Sequence, residues 1–573
     1  MRIENVFINN FRNLNNINID FHPDINYIVG ENNIGKSNLL ELLNLIGNSR
    51  GFSDSDFHDR NLPIEVIISL RLDEYELGVF GDDFSPEDVN LIRVKIYQEI
   101  NDARPTLINL DTSEPIYYKA LRRINVLKYD TLKNPNSELR FDKNKGASAF
   151  LSFLIGKSIS KEDTFLESDK VNSLLNVVNS SLGKIKAFKD FNINVSFAQD
   201  TTDMLSRLIY LIDENSLPIG DTGNGVQFTV MATLNIFTRI LELYKSKSGL
   251  FDEFVIEKGE GKKVLSMILA IDEPEVHLHP YMQRSLLSYY KRILTNKDKG
   301  FLELLKLCFD IDGLDGQLFI VTHSTDALVD NHRNIVRFYK NSNNKVCTVS
   351  GMKMEIKQEL EKHLVMHFPE IKEAFYAKCT IIVEGETEYG CLKGFAETIG
   401  KPLDEYGICL VNARGEGTTP KLEMLFKHFQ IPSIVIFDND VKEGQTPKDN
   451  EFFTDGVCFE MDIVNSLISQ NNHDVMKEIV LEYDTKANAH VLDKKFVEKP
   501  FAKIKYNIES YQPRKLDEFN KEVPLEYQAI YFAWFYKNKG TIIGRIIGDK
   551  LCDESIPQAY KNAIVKAVEI SLL

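Results

Sequence analysis

Tyr27-Ile28-Val29-Gly30-Glu31-Asn32-Asn33-Ile34-Gly35-Lys36-Ser37 decides the fold of the first half of this 573-residue chain. An apolar strand ends at Val29, an apolar-periodic helix runs from Leu39 to Ile46, and the octet at Gly30 to Ser37 satisfies G-x-x-x-x-G-K-[ST]. Glycines let such a loop wrap phosphate groups, aim backbone N–H donors at them and leave the positive end of the helix behind. Gly30, Asn32, Asn33 and Gly35 are therefore expected to cradle the phosphates of ATP, with Lys36 on the β/γ-phosphates and Ser37 on Mg²⁺.

Working outward, residues 3–29 alternate apolar and polar as two strands with a turn at Asn13 to Asn16, and residues 62–72 and 91–99 read as half-buried strands. Between about 147 and 215 the pattern turns to polar helical segments, Ser160 to Leu182 and Thr202 to Leu211, as in a helical insertion. Residues 264–272 read as one continuous buried strand and 317–322 as another. The first ends in Ile271-Asp272-Glu273-Pro274, two adjacent acids after an apolar run. Asp272 there suits the Mg²⁺ shell, Glu273 the polarisation of an attacking water, and His323, after the second strand, the sensing of a γ-phosphate.

Weakly patterned polar sequence from 340 to 372 separates this half from a second α/β alternation: strand 379–383, helix 387–398, strand 407–411, helix 419–428 and strand 433–437. Beyond 470 the chain reads as mostly helical. The first of these strands ends in Glu384-Gly385-Glu386-Thr387-Glu388 and the last in Asp438-Asn439-Asp440. Carboxylates at spacing two after a strand, or at i and i+4 across a strand-to-helix turn, point at one place. So many acids without basic partners repel unless a divalent cation such as Mg²⁺ or Mn²⁺ neutralises them.

Bulk properties bound the function. A net charge of −16 excludes a generic basic-coat binder of nucleic acid but not a metal-dependent enzyme with a local basic groove. Seven cysteines without CxxC pairing read as buried apolar residues of a reducing cytoplasm, and no apolar run is long enough to span a membrane. His277 and His279 lack partners at metal-ligand spacing and are not read as a zinc site. Lys494 to Tyr506 interleaves Lys494, Lys495, Lys499, Lys503 and Lys505 with aromatics; with Asp493 and Glu498 diluting the charge, it reads as a solvated amphipathic surface ahead of a DNA contact.

Asp272-Glu273-Pro274-Glu275-x-His277-Leu278-His279-Pro280, followed by Thr322-His323-Ser324, resembles the Walker B, D-loop and switch-histidine series of ABC-type ATPases of the SMC, RecF and OLD (overcoming lysogenisation defect) kind. Asn10-Phe11-Arg12-Asn13 is similar to their N-terminal strand motif. Asp221-Thr222-Gly223-Asn224-Gly225-Val226-Gln227 resembles their signature motif, with Asp-Thr in place of the usual Ser-Gly start. The resemblance implies that Gly223, Gly225 and Gln227 cap the nucleotide of an opposing copy. A homodimer or higher homo-oligomer through the ATPase heads is then expected, with the insertion as a dimerisation element.

The acidic strand ends, with Gly415-Glu416-Gly417 between them, resemble the Toprim fold, and the EGxxE form resembles OLD-family nucleases in particular. That resemblance adds Glu460 to the metal set ahead of Asp462, and Lys539 in Asn538-Lys539-Gly540-Thr541 as a catalytic lysine opening a helix. It implies an α/β chain with an ABC-type P-loop ATPase head carrying a helical insertion. A Toprim Rossmann-like domain with a helical C-terminal extension follows. The expected boundaries are 1–350, a linker at 351–372, and 373–573 with the Toprim core at about 378–470.

The implied activity is ATP-binding, two-metal DNA cleavage of the kind found in Gabija-type or retron-associated antiphage nucleases. Glu384, Glu388, Asp438, Asp440 and Glu460 would hold the metals, Glu384 and Lys539 would act in catalysis, and the resemblance extends to nucleases that work with an operon partner (a UvrD-like helicase or a retron reverse transcriptase with its DNA) or alone. Two rivals stand beside this reading. One is a RecF/SMC-like repair ATPase with a non-cleaving acidic domain; the other is topoisomerase or primase chemistry, for which little chain remains and no zinc motif is present.

Overall fold

The computed structural model describes the chain except residues 49, 78–84, 86, 118–123, 131–148, 152, 155–167, 185–193, 198–208, 214, 247–249, 277, 329–331, 355–368, 416, 440–447 and 573. It divides into two compact units, Met1–Met354 and Glu355–Leu573.

In the first unit, strands β1 (Arg2–Asn9), β2 (Ile17–Asp20), β4 (Ile64–Arg71), β5 (Leu91–Gln98) and β6 (Thr106–Asn109) form an antiparallel sheet in the order β2-β1-β4-β5-β6. Their alternating apolar residues, among them Ile3, Val66 and Val94, are fully buried on one side. The second sheet comprises β3 (Ile25–Gly30), β7 (Val126–Asp130), β12 (Ile268–Asp272), β14 (Leu318–Val321), β15 (Ile335–Lys340) and β16 (Val346–Ser350), in the order β16-β15-β3-β14-β12-β7. All its pairings are parallel except β15 with β16. Strand β3 lies inside this sheet, which is why its residues from Asn26 on are all buried. Helix α1 (Lys36–Gly47) follows it and packs on β3, β7, β12 and β14.

Several expectations change here. Residues 3–29 form three strands, because His22-Pro23-Asp24 breaks the run and Pro23 has no N–H for a ladder. The buried run 264–272 is two strands that part at Met267: β11 (Lys262–Ser266) joins β10 (Val255–Lys258) and β13 (Gly313–Asp315) in a separate three-stranded sheet, and β12 stays in the second sheet. Both halves are apolar, so periodicity alone does not reveal the break. Polar Asn341 to Lys345 is the hairpin turn between β15 and β16, closed by the Asn341 N–H donating to Lys345 O at 3.0 Å. Within the expected insertion, Ser168–Leu182 is helical as read. Of the expected helix Thr202–Leu211, residues 202–208 lie outside the described residues, and β9 (Ile209–Ile212) is instead a strand paired with β8 (Asn194–Phe197), as its β-branched and aromatic composition favours.

The second unit is built on a parallel sheet, β17 (Cys379–Val383), β18 (Ile408–Asn412), β19 (Ser433–Phe437) and β20 (Glu451–Phe453), in the order β18-β17-β19-β20. The chain leaves β17 through helix α2 (Glu386–Thr398) to β18 on one side, then crosses through α3 (Thr419–His428) to β19 on the other. This reversal opens a crevice beyond the carboxyl ends of β17 and β19, the usual ligand position in open parallel sheets. Helices α4 (Phe459–Ser469), α5 (His473–Tyr483), α6 (Lys494–Lys503), α7 (Pro524–Lys537), α8 (Thr541–Lys550) and α9 (Gln558–Ser571) complete the unit around a core that includes Ile381, Phe395, Ile463, Trp534 and Ile564.

Candidate functional sites

The first site forms where β3 turns into α1. A cavity of 560 Å³ is lined by the run Asn32 to Asn38 together with Glu273, Glu275, Val276 and His323. Gly30 and Gly35 have φ of 131° and 105°, and a Cβ at Gly30 would stand 2.2 Å from Phe338 O, so both glycines are required by the backbone. Lys36 is buried beneath the loop, its Nζ donating to Gly30 O at 2.9 Å and Glu31 O at 2.5 Å. Burial lowers its pKa to about 8 against the pull of Glu273 and Asp272. The Ser37 hydroxyl donates to Asp272 Oδ1 at 3.0 Å, joining the loop to the end of β12. His323 Nε2 stands 3.6 Å from Glu273 Oε1, and burial followed by Lys36 lowers its pKa.

Two contributors carried less weight in the sequence. Glu275 accepts from the Thr322 hydroxyl at 2.8 Å and from the His323 N–H at 2.5 Å, pinning the acidic end of β12 to the end of β14. Asn13 supports the loop from below: its Oδ1 accepts from Asn38 at 2.8 Å, and the same oxygen would be 2.5 Å from a Cβ at Gly35. Arg12 donates to Asn38 Oδ1 at 2.9 Å and pairs with Asp56 at 2.8 Å. Gly223 and Gln227 are not among the described residues lining the cavity. Gly223 is the N-cap of the helix Asn224–Lys245, and the buried Gln227 donates to Thr222 O at 2.8 Å. His277 lies outside the described residues.

The second site lies in the crevice of the other unit. Glu384, Gly385, Glu386, Thr387, Glu388, Gly415, Asp438, Phe459, Glu460, Lys539 and Gly540 line a cavity of 570 Å³. Glu384 and Glu388 come from the end of β17 and the first turn of α2, Asp438 from the end of β19 and Glu460 from the first turn of α4. Glu388 Oε2 accepts from the Gly385 N–H at 2.6 Å, and its Oε1 accepts from the buried Tyr560 hydroxyl at 3.4 Å. Burial, then Asp438 and Glu460, push the Glu388 carboxyl well above its ordinary pKa. Burial, then Glu460, lift Asp438 to about 7. Asp440 lies outside the described residues.

Glu460 is buried and accepts from Lys539 at 2.9 Å. Burial pulls the Lys539 pKa down, but Glu460 outweighs it and the net shift is upward. Asp462 turns away from the crevice and accepts from the N–H groups of Asp455 at 2.9 Å and Gly456 at 2.5 Å, which makes it a loop brace. Among the described residues, one triplet has acidic ligand atoms within 4.8 Å of one another: Asp73, Glu76 and Asp315 of the first unit. Those charges are met by the Met1 amino group, Arg2 and Lys258.

A feature missed in the sequence delivers Lys539. Helices α2 and α8 touch backbone to backbone through Gly390, Gly394, Gly544 and Gly548; a Cβ at Gly544 would stand 2.1 Å from Thr387 O. The Gly540 N–H donates to the Thr387 hydroxyl at 3.0 Å, so the loop ahead of α8 is seated on the start of α2. The signal was present as two small-x-x-x-small spacings, Gly390/Gly394 and Gly544/Gly548.

Comparison with known proteins agrees with this division. Residues 375–440 match the family model "Overcoming lysogenization defect protein-like, TOPRIM domain". Residues 25–330, more than half of the chain, match "AAA domain, putative AbiEii toxin, Type IV TA system". The chain is an OLD-type member of this AAA-domain family. Similar proteins include the Old nuclease of Escherichia phage P2, 23% identical over 77% of this chain and 77% of that protein. Endonuclease GajA of Bacillus cereus (strain VD045) is 24% identical over 78% of this chain and 76% of its own length. The DNA replication and repair protein RecF of Lactococcus lactis subsp. lactis (strain IL1403) matches 40% of this chain at 23% identity. No helix among the described residues of this OLD-type chain is long and apolar enough to cross a membrane.

Proposed function

We propose that this OLD-type chain is an ATP-binding, divalent-metal-dependent DNA endonuclease that works in defence against phages. The reading rests on one observation above the others. Carboxylates from three segments, Glu384 and Glu388 of the turn after β17, Asp438 after β19 and Glu460 in the first turn of α4, line one crevice together with a single described lysine of its wall, Lys539. Burial and neighbouring carboxylates push Glu388 and Asp438 upward, toward their protonated forms, so a set this crowded suits cations that keep it ionised.

Glu384, Glu388, Asp438 and Glu460 would hold Mg²⁺ or Mn²⁺, with Asp440 as a further ligand. Bound divalent cations supply Lewis-acid polarisation of a phosphodiester and a water of lowered pKa. The chain's own residues do the rest. Glu384 would take the proton of the attacking water, and Lys539 would place positive charge against the phosphoryl oxygens. Tyr560 and the Gly385 N–H hold Glu388 in orientation.

In the head, the run from Gly30 to Ser37 would seat the ATP phosphates, with Ser37 and Asp272 toward Mg²⁺, Glu273 toward the hydrolytic water and His323 toward the γ-phosphate. Gly223, Gly225 and Gln227 would cap the nucleotide of a second copy, which makes a homodimer the working state. The relatives named as nucleases support cleavage, and the AAA-domain match over residues 25–330 supports nucleotide binding.

The test incubates the full chain with supercoiled plasmid and Mg²⁺ or Mn²⁺, with and without ATP. Nicking or linearisation that EDTA abolishes is expected, with Asp438→Ala inactive. Equal cleavage by wild type and Asp438→Ala would sink the assignment and favour a repair ATPase with a silent acidic domain.

A further inference from the structure

The crevice has a basic approach that its acidic lining conceals. Helix α6 carries Lys495, Lys499 and Lys503 at i, i+4 and i+8, a spacing that sets side chains in a row along one helix face. Lys495 and Lys499 are exposed and form no ion pair with a described residue. At the inner end of the row the Lys503 Nζ stands 3.9 Å from Asp438 Oδ2, at the carboxylate cavity itself.

The neighbouring helix α7, packed on α6, extends the same feature. The ring of Tyr536 has the Lys503 Nζ 5.8 Å from its centroid and the Lys539 Nζ 4.7 Å from it. The exposed Lys537 lies 5.9 Å from the ring of Phe496 on α6. Lysines on aromatic faces keep their charge while their stems are fixed, at little entropic cost on binding. Four residues of helix advance about 6 Å, a step on the scale of neighbouring phosphates along a nucleic-acid strand.

We propose that the Lys495–Lys499–Lys503 row is the track by which a DNA strand enters the carboxylate crevice. Lys495 and Lys499 hold successive backbone phosphates, and Lys503 holds the phosphate next to the one that reaches Lys539. The track rests on the nuclease reading above for its substrate. It accounts for how a chain of net charge −16 can present DNA to a cluster of acids: the favourable field is confined to one helix face. The same contacts are indifferent to base sequence, since they reach only phosphate.

The experiment measures binding of a fluorescein-labelled duplex to the full chain by anisotropy, with Ca²⁺ in place of Mg²⁺, over a series of salt concentrations. Each phosphate contact contributes about 0.9 to the slope of log Kobs against log salt. Lys495→Gln/Lys499→Gln/Lys503→Gln should lower that slope by about two to three contacts' worth and weaken binding on the order of tenfold or more. Lys477→Gln/Lys521→Gln, exposed lysines off the track, should change neither, and unchanged thermal melts exclude misfolding. Lys495→Gln/Lys499→Gln alone, outside the crevice, should lose about two contacts' worth and raise KM for plasmid more than it lowers kcat. A slope identical to wild type in the triple variant overturns the track, whether or not the protein cuts DNA. Lysine-dependent binding without any cleavage leaves the track standing and sinks the nuclease reading instead.

Discussion

The two sites differ in how they are assembled. The nucleotide site is built on one continuous run: eight consecutive residues make the loop, and two distant strand ends, Asp272-Glu273 and His323, close it across neighbouring strands of one sheet. The carboxylate site has no such dominant loop: it draws Glu384, Asp438, Glu460 and Lys539 from four separate segments, and depends on helix packing to bring the last of them home. A site built on one run keeps that run through many changes elsewhere in its unit. A dispersed site inherits the stability of every contact that positions its parts.

That contrast can be broken or sharpened by substitution, beginning with the largest effect. Asp438→Ala removes a ligand from a group that acts as a unit, so plasmid cleavage should fall on the order of 10³-fold or more while ATP binding, read by a fluorescent analogue, stays at the wild-type level. Lys539→Ala should reduce kcat by about 10²–10³-fold, the scale for losing one preorganised charge at a reacting centre, with metal binding retained in a Mn²⁺ titration. Gly544→Val drives a side chain into the Thr387 carbonyl. It should cost about 3 kcal/mol or more of unfolding stability in the second unit and lose cleavage with it, again sparing nucleotide binding. Asn13→Ala removes one polar prop from beneath the phosphate loop and should weaken ATP binding by about 1 kcal/mol, roughly fivefold, without touching cleavage of DNA in the absence of ATP. Loss of nucleotide binding in Gly544→Val would erase the contrast, because it would make the two sites one cooperative structure.

The same contrast governs what could be read in advance. The phosphate loop, the acidic end of β12 and the strand–helix alternation from 379 to 437 were legible because each is a local pattern with a local cause. What escaped is non-local. The break at Met267 depends on which sheet each half joins, and the hairpin at Asn341 to Lys345 on a partner strand that polar composition does not announce. Glu460 and Lys539 were reached by resemblance alone. Their meeting at 2.9 Å needs α8 to lie against α2, and that contact is written in glycine spacings normally read as interruptions of a helix. The lysine row on α6 was diluted in the sequence by Asp493 and Glu498, whereas on the helix it stands apart as one face.

The central claim is that one chain carries two chemically separate sites, with cleavage assigned to the second unit. The most direct measurement is Mn²⁺-dependent nicking of supercoiled plasmid by Glu384→Ala and Lys36→Ala side by side, each with its ATP affinity determined on the same preparation. The account predicts that Glu384→Ala binds ATP normally and does not nick, and that Lys36→Ala loses ATP affinity on the order of tenfold to a hundredfold yet keeps its ATP-independent nicking. Undiminished nicking by Glu384→Ala would contradict it.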